Sequence, residues 1–238
     1  MVFWSDIGIV LSSKKHCEKY KIVDIFTREH GKFSAMASVS KCNKLSIFSN
    51  VDVDYSSKNQ GSLGFWKTKD EKQNWIYALN SEAHTLIYQS ICFMLNKILP
   101  HGVCHKNLFD FSQYISNNLH RFSKIEALNL YAYFEFLLLD SSGFGLDLDT
   151  CCICGKQEDV HYISPKTCHG ASCKCASKFD TSKLFEVPES WKHWKNGDIQ
   201  YSKSQDDVKK SLSITGTFIE KNLTDSKNFF RSHVVNLI

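Results

Sequence analysis

Proline is scarce, at three in 238 residues, and no stretch reaches the roughly 18–20 unbroken apolar residues that a membrane-spanning helix needs. The opening Met1-Val2-Phe3-Trp4-Ser5-Asp6 lacks the basic, apolar, small-residue order of a secretory leader. With 42% hydrophobic residues, the chain reads as folded, soluble and cytoplasmic, with no membrane partner. A reducing compartment argues against disulfides, so the ten cysteines are expected to serve metal binding or simple burial. No oriented acid, base and nucleophile set is visible, and the chain is expected not to be an enzyme. The residual enzyme reading is a thiol site at Cys168-His169.

Charge of one sign is also in short supply, since the net value is only +4, but it is unevenly spread. Residues 1–80 hold twelve Lys and Arg against eight Asp and Glu, and residues 81–238 hold seventeen of each. Attraction to phosphate is local, so the excess marks the amino-terminal part as the one suited to a polyanion.

That part reads as β structure. Ile7–Leu11, Tyr20–Phe26 and Lys32–Ala37 are short β-type runs joined by Ser12-Ser13-Lys14-Lys15 and by His30-Gly31, as in an antiparallel meander. Further β-type stretches are expected at Ser46-Ile47-Phe48 and Val51–Tyr55, then a loop at residues 56–61, and Trp75–Leu79 is expected to close the first domain. A small barrel of this kind binds single strands through a basic groove and aromatic platforms. The candidate phosphate contacts are Lys14, Lys15, Lys19, Lys21, Arg28, Lys32, Lys41 and Lys44, and the candidate stacking residues are Tyr20, Phe33 and Phe48. An RNA-binding barrel protein fits the same charge pattern.

From Asn80 the apolar period becomes helical. Ala83, Leu86, Ile87, Ile91, Met94, Leu95 and Ile98 form one stripe ended by Pro100; Leu108, Phe111, Ile115, Leu119 and Phe122 form a second. A third runs from Ile125 through Leu128, Ala132, Glu135 and Leu138 to Leu139, with Glu135 expected at its edge and Gly143 as a left-handed stop. Two closing helices are expected around Ser213–Leu223 and Phe229–Val235.

Between these helices, Cys151-x-x-Cys154-Gly155 has the form of a metal knuckle: two thiolates on a tight turn, with glycine letting the backbone curl beneath the ion. A second pair should follow roughly 15–20 residues later. The expected set is Cys151, Cys154, Cys173 and Cys175 around a structural zinc, with Cys168 or His169 as alternatives for the second pair. Cys17, Cys42, Cys92 and Cys104 read as small apolar residues. The resulting fold class is α+β and multidomain. A small β-barrel (1–80) precedes an all-helical domain (81–150 and 181–238) that carries a knuckle-like insertion (151–180).

Several segments, taken in order, resemble the RecO family of recombination mediators: Asp6–Ser12, Ile25–Lys32, Gly143–Asp147 with Cys151-x-x-Cys154-Gly155, Tyr162–Lys166, and Ile214–Ile219. The resemblance implies an OB-fold, a helical domain and a zinc-finger-like segment in a bacterial, nucleoid-associated protein without a catalytic centre. It further implies binding to single- and double-stranded DNA, annealing of complementary strands, and work with RecR and single-strand-binding protein to load RecA. Two departures stand out. Where many relatives carry a basic-Gly-Ala-Arg run, this chain has Ser38-Val39-Ser40-Lys41, and Ser172 occupies the first position of the family's second C-x-x-C pair, with Cys175 at the other.

Overall fold

A computed structural model describes residues 1–39, 45–59, 61–157, 160–167, 169–178, 181–194, 196–199, 204–223 and 229–238. The chain divides into two compact units, one of residues 1–122 with 228–231, the other of residues 123–227 with 232–238. The first two long helices therefore belong with the barrel.

Five strands build the first unit: β1 (Val2–Lys15), β2 (Tyr20–Thr27), β3 (Gly31–Ser38), β4 (Asn50–Ser57) and β5 (Gly64–Lys72). They close in the order β1-β2-β3-β5-β4, the OB-like barrel expected from the sequence. The amino-terminal half of β1 pairs with β4 and its carboxy-terminal half with β2, both antiparallel. A bulge between Val10 and Ser12 accompanies the changeover, as bulges do where a strand must bend. The barrel shuts through a short parallel contact, Ala35 with Gly64 and Met36 with Phe65.

Alternation along the strands sends Val10, Val23, Ile25, Ala35, Ala37, Val51, Val53, Tyr55 and Trp66 into one core, with Trp4 and Phe33 packed against it. The Trp66 indole donates to the Val23 carbonyl at 3.0 Å, so its buried N–H is satisfied. Two expectations are corrected here. Residues 75–79 lie in a 3-10 helix (Asn74–Asn80), and the closing strand is β5. Ser46–Phe48 forms a turn in which Phe48 takes a positive φ of 68°, its carbonyl held by the Ser116 hydroxyl at 3.0 Å.

Helix α1 (Glu82–Ile98) starts at Ser81, whose side chain accepts from the His84 amide, and ends ahead of Pro100. Its buried face includes Ile87, Ile91, Met94 and Leu95. Helix α2 (Lys106–Asn118) brings Phe109 edge-on to Phe26 at 5.4 Å and ties its Ser116 to Asn50 at 2.9 Å.

In the second unit, α3 (Lys124–Leu139) opens with a full capping box between Ser123 and Glu126. Gly143, at φ 81°, lies in the turn that ends it. Every residue from Ala127 to Glu135 is buried, so α3 is a central helix rather than a striped one. Glu135 is fully buried, not at an edge, and accepts from the Thr215 hydroxyl. A three-stranded sheet in the order β7-β6-β8 follows, made of β6 (Val160–Ile163), β7 (Gly170–Ser172) and β8 (Phe185–Glu186). The single turn α4 (Cys173–Ala176) leaves β7 directly. Helix α5 (Glu189–Trp194) places Trp194 against Tyr133 and Trp191 against Phe136, each at 5.3 Å. Helix α6 (Gln205–Asn222) packs along α3, and α7 (Phe229–Val235) ends the chain's helical structure.

Gly31 and Gly61 both have positive φ, 79° and 89°, but only Gly31 is crowded, since a Cβ there would lie 2.0 Å from the Val103 carbonyl oxygen. Gly31→Ala is expected to cost about 3 kcal/mol or more, and Gly61→Ala about 1 kcal/mol. Urea midpoints of the two variants check this, and equal shifts would contradict it.

Candidate nucleic-acid interface and metal centre

The β1–β2 hairpin runs past the last rung shared with β4 and carries four lysines and one glutamate between residues 14 and 21. Its tip is fixed by the His16 and Cys17 amides, which both donate to the Tyr20 carbonyl. Lys15 and Lys21 are register partners, directly opposite each other across the two strands. Like charges so placed repel unless an anion lies between them. Lys14, Lys15 and Lys19 are exposed and Lys21 is half-buried.

The other described candidates are engaged inside the protein. Arg28 makes a two-pronged pair with Asp110 (Nε to Oδ1 at 2.7 Å, Nη2 to Oδ2 at 3.0 Å) and also meets Glu29 at 2.8 Å. Its pKa is raised, first by the hydrogen bonds to Asp110 and then by that carboxylate's charge. Lys106 reaches the other oxygen of Glu29, so two cations and two carboxylates balance at this spot. Lys32 is only 5% exposed and donates to the Asn96 carbonyl; burial lowers its pKa, against the attraction of Asp24. Lys41 and Lys44 lie outside the described residues.

Of the three aromatic candidates, Phe48 is core and sits 4.7 Å from Tyr88, while Phe33 packs on Trp4 at 5.4 Å. Tyr20 stands at the hairpin, edge-on to Phe65 at 5.8 Å. Phe65 is 43% exposed, and on the same strand Lys67 and Lys69 are exposed while Gly64 and Trp66 are buried. Lys69 pairs with Asp54 at 2.8 Å. This outward series was missed because β5 was not read as a strand. The period-two pattern from Gly64 to Lys69 is the signal that carries it. Beside Phe65, a groove of 630 Å³ is lined by Met1, Ser56, Asn59, Ser62 and Leu63 among others. Lys14 shares the outward face with the Tyr20–Phe65 pair, while Lys15 and Lys21 alternate onto the face that carries Val23 and Ala37, so that hairpin lysines, an aromatic pair and the β4–β5 loop supply the elements through which OB barrels hold oligonucleotides.

The second candidate lies in the other unit. Cys151 and Cys154 flank a tight turn closed by the Gly155 amide on the Cys151 carbonyl at 2.8 Å, with Gly155 at φ 70°. Cys175 approaches from α4, and the sulfurs of Cys151, Cys154 and Cys175 all lie within 4.8 Å of one another. The Ser172 amide donates to the Cys151 sulfur at 3.4 Å. That bond, opposed by burial and helped by the Cys154 and Ile153 amides, lowers the Cys151 thiol to about 6. Three thiols with one already inclined to ionise form a donor set that suits a borderline-soft divalent ion. Cys173 is exposed and stands apart from this group, as does His169, and Cys168 lies outside the described residues.

Both parts of the chain match known family models. Residues 1–70 match the family model for the recombination protein O N terminal region, and residues 83–228 match that for its C terminal region. The chain belongs to the RecO family. A DNA repair protein RecO from Wolbachia sp. subsp. Drosophila simulans is 30% identical to it over 226 residues, covering 92% of each chain. That of Ehrlichia chaffeensis is 28% identical over 99% of this chain and 98% of its own. That of Cereibacter sphaeroides (strain ATCC 17023) is 27% identical over 94% and 92%. The names of these relatives and of the family models point to DNA repair and recombination, and in this chain the N-terminal match covers the barrel and the C-terminal match the helical region. Among its described residues, no helix is long and apolar enough to cross a membrane.

At the root of the RecO hairpin, Asp24 accepts from Ser12, Ser34 and Asn96, linking three strands to α1. Burial would raise its pKa, but these hydrogen bonds and Lys14 outweigh it and lower it. A depressed carboxylate stabilises the fold fully above its unfolded value of about 4 and loses that contribution as pH falls through the lower folded value. Urea midpoints across the acid range should fall below about pH 4 in the parent and flatten in Asp24→Asn. Parallel acid limbs for the two proteins would contradict this role.

Proposed function

We propose that this RecO protein binds single- and double-stranded DNA through the barrel's hairpin and outer β5 face, anneals complementary strands, and helps load RecA with RecR and single-strand-binding protein. The observation that carries the reading is the opposed pair Lys15 and Lys21, flanked by Lys14 and Lys19. Four cations in one short hairpin gain most when phosphates pass between them. Neutralising two strands at once removes most of their mutual repulsion, and base pairing then completes the reaction. No covalent bond is made or broken, so the protein acts as a mediator and not as an enzyme.

Tyr20 and Phe65 offer ring surfaces on which bases stack without regard to sequence, which suits a protein that must accept any strand. Zinc, held by Cys151, Cys154 and Cys175, would tie the turn after α3 to the start of α4 and so serve structure.

The test is strand annealing followed by fluorescence quenching of two complementary labelled oligonucleotides. The parent protein is expected to speed pairing, with the gain fading as salt rises. The variant with Lys14, Lys15, Lys19 and Lys21 all changed to Glu is expected to lose about tenfold or more of that gain while keeping its thermal midpoint. A variant that anneals as fast as the parent would defeat the proposal.

A further inference from the structure

The three-sulfur group leaves a tetrahedral ion one ligand short, and a buried hydroxyl, that of Ser172, lies beside the Cys151 sulfur. Ser172 is 3% exposed, and its hydroxyl lies 3.7 Å from the Cys151 sulfur while its amide holds the same atom. A tetrahedral ion with metal–sulfur bonds of about 2.3 Å and a metal–oxygen bond of about 2.1 Å places sulfur and oxygen about 3.6 Å apart. Ser172 therefore already stands one coordination edge from Cys151. Chain geometry explains why it and not its neighbour does so. Ser172 is the last residue of β7, and Cys173 begins α4 with its side chain exposed, whereas Cys175, one turn further on, comes back to the cluster.

We propose that Ser172 supplies the fourth ligand, so that the chain holds a divalent ion of the zinc or cobalt class through three thiolates and one hydroxyl oxygen. The claim is independent of the DNA-binding reading. Oxygen is a harder donor than thiolate, so such a site holds its ion less tightly, and exchanges it more readily, than a four-thiolate knuckle.

Cobalt(II) titration of the full-length protein, reduced and free of oxygen, tests the assignment, because the sulfur-to-cobalt charge-transfer absorption grows with the number of thiolates bound. The parent is expected to take one cobalt per chain with a three-thiolate intensity, and Cys173→Ser and Cys168→Ser to match it. Ser172→Cys is expected to raise that intensity by about a third and tighten binding about tenfold, and Ser172→Ala to shift the visible bands and weaken binding about tenfold in chelator competition. A four-thiolate intensity in the parent, with loss of about a quarter of it in Cys173→Ser or Cys168→Ser, would overturn the proposal. So would a Ser172→Ala protein with the parent's spectrum and affinity, or a parent that takes up no stoichiometric cobalt.

Discussion

The length of β1 is the constraint from which the rest of the barrel unit follows. Fourteen residues let one strand pair with β4 through its first half and with β2 through its second. A strand so shared passes from one wall of the closed five-stranded barrel to the other, and the bulge at Val10/Ser12 supplies the bend. The same length carries its last residues beyond β4, so that Ser12–Lys15 pairs with β2 while β2 pairs in turn with β3, and Lys14, Lys15 and Lys19 remain exposed at this end. Closure and the exposed cationic tip are two results of one pairing pattern.

Positive side chains on this unit meet three different fates, and environment decides among them. Lys32 is enclosed and bonded to a helix carbonyl, where its role is to join β3 to α1. Arg28 is matched by Asp110 and Glu29, which leaves little net field for a polyanion. Lys14, Lys15 and Lys19 face solvent, and Lys15 stands opposite the half-buried Lys21. Charge that the fold itself balances adds little to phosphate binding, while charge set against like charge is stored for a partner.

Much of this was legible in the chain, and the gaps have physical causes. The runs at Ile7–Leu11, Tyr20–Phe26 and Lys32–Ala37 lie inside β1, β2 and β3 because alternation and turn residues agree there. The strand β5 escaped notice because Lys67 and Lys69 among its outward positions dilute its apolar content, and at the barrel's surface such residues face water without disturbing the pairing. Glu135 was placed at an edge by its chemistry, yet Thr215 on α6, eighty residues away, gives it a partner in the core. Cys173 was paired with Cys175 across a C-x-C spacing that departs from the C-x-x-C rule, and the single turn of α4 directs Cys175 inward and leaves Cys173 outside. For Glu135 and Cys175 the local pattern placed the residue in its segment and was silent about the long-range neighbour, whereas for β5 the element itself went unread.

The most direct test of the central claim, that the hairpin's lysines and not the barrel's cations in general hold DNA, is the salt dependence of single-strand affinity. Changing Lys14, Lys15, Lys19 and Lys21 to Gln should lower the slope of log affinity against log salt by up to about 3, at roughly 0.7 per phosphate contact, while Lys32→Met leaves it unchanged. An unaltered slope in the fourfold variant, or an equal drop in Lys32→Met, would contradict the account.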